Sequence, residues 1–417
     1  MKSYSLGELV QHARTYSPFY KELYKNIGTF SKVEQLPVLD SASFWKANSI
    51  DDNQVLTAQQ KDGIVFKSGG TTGNPKFSFF GLDEWEVFTR AFGEGMRKGG
   101  LETGERVANL FYAGDLYASF MFISKSIEKS NSNIVHYPLS GGAEFDHIIE
   151  TMNSFQITTW AGVPTTMMKL TEYAQDNQLH APKKILFGGE SMYQDQIDFI
   201  ESVFPHVHIQ SIGYASVDGG LLGYLDKTCG IQEHRVFSEY TIMEILDEDT
   251  LEVITEPNRP GKMFLTNLTR LLMPIIRYPV GDKAMWIDDA SVIEHRKFKI
   301  LGRSEEGARV GPATIYYEDM SQLLNMFHDV IHIKGFQLCL VHFDGHDQLV
   351  IRVAANHPTD AVQRDIVEHI YTERSMIKKL VDDKLIHPLV LEFVHMTDLD
   401  TNARTGKLKR IIDARKM

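Results

Sequence analysis

The sequence predicts an α/β protein in two parts, a large N-terminal domain ending in a β-rich region and a small α+β C-terminal domain. Three observations lead there. At 417 residues the chain exceeds what one ordinary core organises, so two or more domains are expected. From about Gly63 onwards, short apolar runs alternate with longer amphipathic ones, the pattern of α/β units on a largely parallel sheet. The pattern then changes twice, first to strands joined by polar turns and later to a hairpin, a helix and a strand.

Taken in order, "SLGELVQHAR" carries apolar residues at helical spacing, and the first fifty or so residues read as helical and peripheral. The runs "RVANLFYAG", "SNIVHYPLS", "ITTWAGVP", "KKILFGGE" and "VHIQSIGYAS" read as strands, most with a helix-like segment after them. "QEHRVFSEYTIMEILDEDTLEVI" opens the β-rich part. Beyond "FKILGRSEEGARVG", the stretch "DVIHIKGFQLCLVHFDGHDQLVIRVAAN" reads as strand from Ile331, with a hairpin turning at Asp344-Gly345. A helix over "DAVQRDIVEHIYTERSMIKKLV" and a strand "HPLVLEFVHM" follow. The expected domains are residues 1–302 and 303–417.

Composition narrows the function. A net charge of −12 without a long basic run argues against nucleic acid as a partner. Two cysteines, Cys229 and Cys339, give neither a disulfide framework nor zinc-ligand spacing. The N-terminus has no apolar signal-like run and no segment reaches the ~18 apolar residues of a membrane span, so a cytoplasmic protein without a membrane partner is expected. His328 and His332 stand four apart in "FHDVIHIKG" but lack a His-Glu-x-x-His pattern or a third ligand.

The most informative stretch is "FKSGGTTGNPKFSFF", Phe66 to Phe80. Glycines let backbone N–H groups converge on phosphate oxygens, hydroxyls add donors, and a lysine supplies compact positive charge. Ser68, Gly69, Gly70, Thr71, Thr72, Gly73 and Lys76 thus suit a triphosphate. The loop lacks the Gly-Lys-[Ser/Thr] ending of a Walker A motif. A glycine-rich hairpin with a solvated lysine has the same composition.

In its order, Ser-Gly-Gly-Thr-Thr-Gly-x-Pro-Lys resembles the adenylate-forming superfamily of acyl- and aryl-CoA synthetases, adenylation domains and luciferases. Four further segments fall in the family's order: "SIGYASVDGG" (Ser211 to Gly220), "IRYPVGDKAMW" (Ile276 to Trp286), "LGRSEEGARVG" (Leu301 to Gly311) and "TNARTGKLKRIID" (Thr401 to Asp413). The short N-terminus with "SPFY" and Leu36-Pro37, "GGE" at Gly188 to Glu190, and "GKLKR" at Gly406 to Arg410 resemble phenylacetate-CoA ligases within it.

The resemblance implies ATP-dependent formation of an acyl-adenylate from a carboxylic acid, then transfer to a thiol, with ATP, Mg²⁺ and coenzyme A as cofactors. It implies that Ser68, Thr71, Thr72 and Lys76 cradle the β- and γ-phosphates. Asp218 stands where the family has a Mg²⁺-holding glutamate, and Asp282 where an aspartate accepts from the ribose hydroxyls. Arg303 falls near ribose and phosphates. Gly188, Gly189, Glu190, Tyr214, Ala215 and Ser216 fall around the nucleotide, and Lys407 matches the lysine that bridges carboxylate and α-phosphate. Glu305 lies where the family's domain pivot falls.

A flat aromatic acid is expected against Phe111, Tyr112, Trp160, Met167, Met168 and Gly213, with Asp115 recognising a polar substituent or capping a helix. Ala215, Val217 and Val280 depart from the family's glycine and threonines. Three readings stay open: a CoA ligase, an enzyme loading an acyl carrier protein or a protein cysteine, and a non-catalytic nucleotide- or adenylate-binding relative.

Overall fold

The computed structural model describes residues 3–68, 76–190, 192, 194–303, 307–311, 313–344, 346–356, 358–403 and 405–415. Gly69, Gly70, Thr71, Thr72, Gly73, Glu305 and Gly345 therefore lie outside the described residues, and at Arg303 only the backbone is described. Among the described residues no helix is long and apolar enough to cross a membrane. Contacts divide the chain into two compact units, Met1–Ser140 with Gln210–Ser304, and Gly141–Ile209 with Glu305–Met417.

In the first unit three helices, Leu6–Tyr16, Pro18–Leu23 and Ser41–Ala47, precede the first strands. Ser5 caps the first through a reciprocal box with Glu8, and Pro18 starts the second at a position where its missing N–H costs nothing. These helices are not peripheral. Leu9, Val10, Ala13, Tyr20, Tyr24, Leu36 and Phe44 share one buried cluster with Leu222, Ile245, Met263, Leu265 and Ile276 of the β-rich region. Helical spacing shows that a face is apolar but not what covers it, and here the cover is a sheet far along the chain.

That sheet has seven strands, in the order Thr241–Leu246, Gly261–Asn267, Tyr278–Trp286, Lys297–Arg303, Glu233–Val236, Gly220–Tyr224 and Tyr214–Ser216. Its pairings are antiparallel. Ile64–Ser68 and Lys76–Phe80 form a separate hairpin with Ser68 opposite Lys76, so the glycine-rich loop springs from a paired base. Arg106–Asn109 and Val135–Tyr137 pair in parallel and flank the helix Ser119–Lys129.

In the second unit Thr159–Gly162 and Lys184–Phe187 pair in parallel. The helix Pro164–Asp176 follows the first of them, with proline again at its start. Further on, a four-stranded sheet runs Val390–Val394, His346–Ala354, Gly335–Phe343, Ile411–Asp413. The hairpin after Phe343 is as expected, but the strand starts at Gly335. His328–Ile331 is a short helix, ended by His332 at a left-handed φ of 46°. The single expected helix is two, Asp360–Glu373 and Ser375–Asp382, broken at Arg374. Ile366, Ile370, Ile377 and Leu380 from both join one core with Leu338, Ile351 and Leu391.

Candidate active-site residues

In the first unit, two expected positions 150 residues apart meet: the Ser68 hydroxyl donates to Asp218 Oδ1 at 2.5 Å. Asp218 sits in the turn between the strands Tyr214–Ser216 and Gly220–Tyr224. Its other neighbours are also hydroxyls, Ser78 at 3.4 Å and Tyr278 at 3.3 Å. Arg270, 1 % exposed, fixes the turn from below, donating to the Asp218 carbonyl and to the Phe79 carbonyl of the hairpin, both at 2.8 Å. Burial pulls this guanidinium down to about 10, while Glu84 and Asp218 pull it up. Sequence reasoning passed over Ser78, Arg270 and Tyr278; a buried arginine in an apolar run, as in "TRLLMPII", is the signal that could have found one of them.

Asp282 lies on the strand Tyr278–Trp286 and accepts from the Tyr214 hydroxyl. Its backbone partner on the neighbouring strand is Arg303, so Tyr214, Asp282 and Arg303, three expected nucleotide positions, belong to one sheet. Ala215 and Ser216 continue the Tyr214 strand, and the Ser216 hydroxyl accepts from the Gly219 amide at 2.8 Å. Lys76 lies over the Trp45 ring, 5.3 Å from its centroid. Gly213 has φ +126°, and a Cβ there would stand 2.8 Å from the Phe92 ring, so only glycine fits.

Behind Tyr214 is a buried polar relay. The His234 ring Nε2 lies 3.0 Å from Ser211 Oγ, and its Nδ1 lies 3.3 Å from the Gln232 carbonyl. A carbonyl can only accept, so Nδ1 carries the proton and Ser211 donates to Nε2. Ser211 Oγ then accepts from the Gly213 amide at 3.2 Å. Burial lowers His234 to about 4, against smaller opposing effects of the Gln232 carbonyl and Glu233. Between about 6.5 and 4 the unfolded chain takes up a proton that the folded chain refuses. The stability from neutral His234 is thus complete above 6.5 and falls as pH falls, by about 2 kcal/mol at pH 5. Urea unfolding of wild type and His234→Gln at pH 7 and pH 5 checks this. The gap between them should narrow by that amount at pH 5, and a constant gap would remove His234 as the titrating group.

In the second unit, Gly189 has φ +82°, and a Cβ on it would lie 3.1 Å from Lys407 Cε and 3.5 Å from Nζ. The lysine stem therefore lies on bare backbone. Lys407 is presented by a turn in which the Asn402 amide donates to the Lys407 carbonyl at 2.8 Å, with Gly406 at φ +67°. Glu190 accepts from the Leu408 amide at 2.6 Å through Oε1, and from the Thr165 amide and hydroxyl at 3.2 and 2.8 Å through Oε2. Both Glu190 oxygens are thus engaged within the chain. Gly188 is buried, its amide donating to the Gly162 carbonyl. A cavity beside this cluster is lined by Thr165, Glu190, Gln196, Tyr317, Leu408 and Arg410 among others.

The acid-pocket expectations divide. Tyr112 is half-buried. Phe111 is buried, and Trp160, Met167 and Met168 are 0 % exposed, with the Trp160 ring edge-on to Phe204. These are buried positions in this structure, packed among other side chains. Asp115 is exposed, and both its oxygens lie 2.6 Å from Lys67 Nζ. It neither caps a helix nor stands ready for a substituent. Among the described residues no group of three or more His, Cys, Asp or Glu side chains is placed to hold a metal.

No protein-family profile matches the chain. It is 23% identical over 419 residues to a phenylacetate-coenzyme A ligase of Aromatoleum evansii, across 97% of this chain and 92% of that protein. It is 24% identical over 259 residues to an indoleacetate–lysine synthetase of Pseudomonas savastanoi, across 60% of this chain and 59% of that one. In fold it matches the crystal structure of 2-hydroxyisobutyryl-CoA ligase in the postadenylation state with a TM-score of 0.71, at 17% identity, over 97% of this chain and 87% of that one. With the motifs in family order and the near-complete span of these matches, the chain is similar in sequence to phenylacetate-CoA ligases and shares the fold of a CoA ligase captured in its postadenylation state.

Proposed function

We propose that the protein is an AMP-forming acid–thiol ligase: it activates a carboxylic acid, aromatic by our reading, with ATP, and passes the acyl group to coenzyme A. The observation that carries this reading is Lys407 lying against Gly189, with the next amide held by Glu190. Two motifs 218 residues apart meet there within one compact unit, and a lysine amine beside exposed backbone is what a developing anionic centre requires.

In the proposed reaction a carboxylate oxygen attacks the α-phosphorus, and the bond to pyrophosphate breaks. The thiol sulfur then attacks the acyl carbon, and AMP leaves with the electron pair. Both steps ask the protein for charge neutralisation and positioning rather than a nucleophile. We assign the hairpin base Ser68 and Lys76, with Gly69, Gly70, Thr71, Thr72 and Gly73, to the phosphates. Asp282, ordered by Tyr214, serves the ribose; Arg303 the ribose and phosphates; Gly188, Gly189, Ala215 and Ser216 the nucleotide; and Tyr112 and Gly213 the acid. Residues 1–302 form the adenylation domain in this scheme, and 303–417 the small domain that presents Lys407.

Magnesium fits the site in one respect that the structure supports. Asp218 offers a carboxylate among three hydroxyls, hard oxygens only, and Mg²⁺ bound with ATP is satisfied by one protein carboxylate, phosphate oxygens and water. When bound, it offsets negative charge on the phosphates. The free cysteines, Cys229 and Cys339, support the cytoplasm as the compartment.

The test is pyrophosphate release from Mg-ATP with a panel of aryl, arylacetic and fatty acids. Release with one acid, followed by AMP and thioester when coenzyme A is added, is the expected result. Because the relatives' names include both a CoA ligase and a lysine synthetase, lysine and an acyl carrier protein belong in the acceptor panel. Amide or protein-bound product without CoA thioester would move the acceptor. ATP binding with no release from any acid would leave the non-catalytic reading.

A further inference from the structure

We infer that Glu190 is a positioning residue that locks the Lys407 turn in place for the adenylation step; this rests on the function proposed above. Glu190 lies next to Gly189, the residue against which the Lys407 stem packs. Its carboxylate is oriented from one side by the start of the helix Pro164–Asp176, where the Thr165 amide and hydroxyl both donate to Oε2. A carboxylate is favoured at that end of a helix, because unpaired N–H groups and the helix dipole both face it. The remaining oxygen, Oε1, takes the Leu408 amide at 2.6 Å, a charge-assisted bond one residue beyond the lysine.

The turn around Lys407 is rigid on its own account. The Thr405 and Gly406 amides both donate to the Asn402 carbonyl, and Thr401 bridges to Leu408. Fixing the Leu408 amide therefore fixes the whole turn and the direction of the lysine. Glu190 thus acts on the reaction through Lys407 without touching a reacting atom. A second tie in the same unit, Lys334 Nζ to Glu172 Oε1 at 3.0 Å with Gln196 donating to the Lys334 carbonyl at 2.9 Å, holds the strand start at Gly335 to the helix Pro164–Asp176 independently of Glu190. Loss of the carboxylate should then loosen the lysine turn without releasing the whole segment.

The test uses the full chain, Glu190→Ala, and Thr165→Val as the milder variant that leaves the carboxylate but removes its orienting hydroxyl. The acid with the highest pyrophosphate release in the panel, and its synthetic acyl-adenylate, are the probes. Glu190→Ala should slow acid-dependent pyrophosphate release by about 10- to 100-fold, the scale of a misplaced group, and Thr165→Val less. Thioester formation from the supplied acyl-adenylate and coenzyme A should stay within about two-fold of wild type, since that step does not need the lock. Independently of activity, acetylation of Lys407 by an N-hydroxysuccinimide ester, followed by mass spectrometry, should speed up in both variants. Equal losses in both half-reactions, or unchanged Lys407 labelling, would overturn the lock. Wild type releasing no pyrophosphate with any acid would remove the proposed ligase function, and the labelling would then decide the lock alone: faster acetylation in the variants supports it, no change refutes it.

Discussion

Lys407→Ala should cut acid-dependent pyrophosphate release by about 10²–10³-fold, the usual effect of removing one preorganised donor from a developing anion. The same variant should convert supplied acyl-adenylate to thioester at a rate within about two-fold of wild type. Backbone bonds from Asn402, Thr405 and Gly406 and the Glu190–Leu408 contact shape the lysine turn without the amine, so the alanine chain should keep its fold. What disappears is one positive charge whose stem lies on Gly189. Lys407→Arg should not restore the rate. A guanidinium is larger and planar, while the lysine stem lies directly on the Gly189 backbone. Half-reaction rates measured separately, with melting temperature as the fold control, check the prediction. Equal loss in both halves would mean that Lys407 serves structure or both steps, and an unaffected first half would remove it from adenylation.

What the sequence discloses about this protein depends on distance along the chain. Alternating apolar and amphipathic runs reported α/β units because strand and helix period are local properties. The lysine turn was legible for the same reason: Gly406, at positive φ, and Lys407 stand side by side. Partners were not. Glu190 reads as part of a nucleotide-facing "GGE", and only folding shows that its acceptor capacity is taken by Thr165 and Leu408. Asp115 looked available until Lys67, 48 residues earlier, proved to hold both its oxygens. Trp160 and Phe111 have the composition of a ring-binding wall, and composition alone does not show that both are buried among other side chains. Conversely, Asp218 was singled out by motif, while its neighbours were not: Ser78 and Tyr278 lie inside motif segments at positions the motifs do not mark, and Arg270 comes from a segment with no motif of its own.

Arg277→Met should destabilise the first unit by about 3–5 kcal/mol at neutral pH, the cost of leaving one member of a buried ion pair without its partner. Arg277 donates through Nε and Nη2 to the Glu244 carboxylate at 3.0 and 2.7 Å, with the two side chains 6% and 3% exposed. Its Nη1 also holds the Leu36 carbonyl at 2.5 Å, and its own carbonyl accepts from the Leu39 amide, which stitches the N-terminal segment to the sheet. The residue sits at φ 49°, an uncommon conformation for a side chain this large, and the surrounding bonds hold it there. Burial raises Glu244 above the usual carboxylate range, with Arg277 opposing. Without Arg277 that rise must be larger. A carboxyl raised in the folded state contributes stability that is present at low pH and lost as pH climbs through its folded value. The deficit of the variant should therefore be small in acid and grow towards neutrality. Urea unfolding across that range checks the slope. The double variant Glu244→Met with Arg277→Met tests the cause, because an apolar pair of similar volume removes the stranded charge and should recover most of the loss. A double variant no more stable than Arg277→Met would assign the loss to the side-chain bond at the Leu36 carbonyl instead. The strand that Arg277 precedes carries Tyr278 and Asp282, so recovered stability without recovered ATP binding would show that the ion pair sets the register of that strand and not merely its energy.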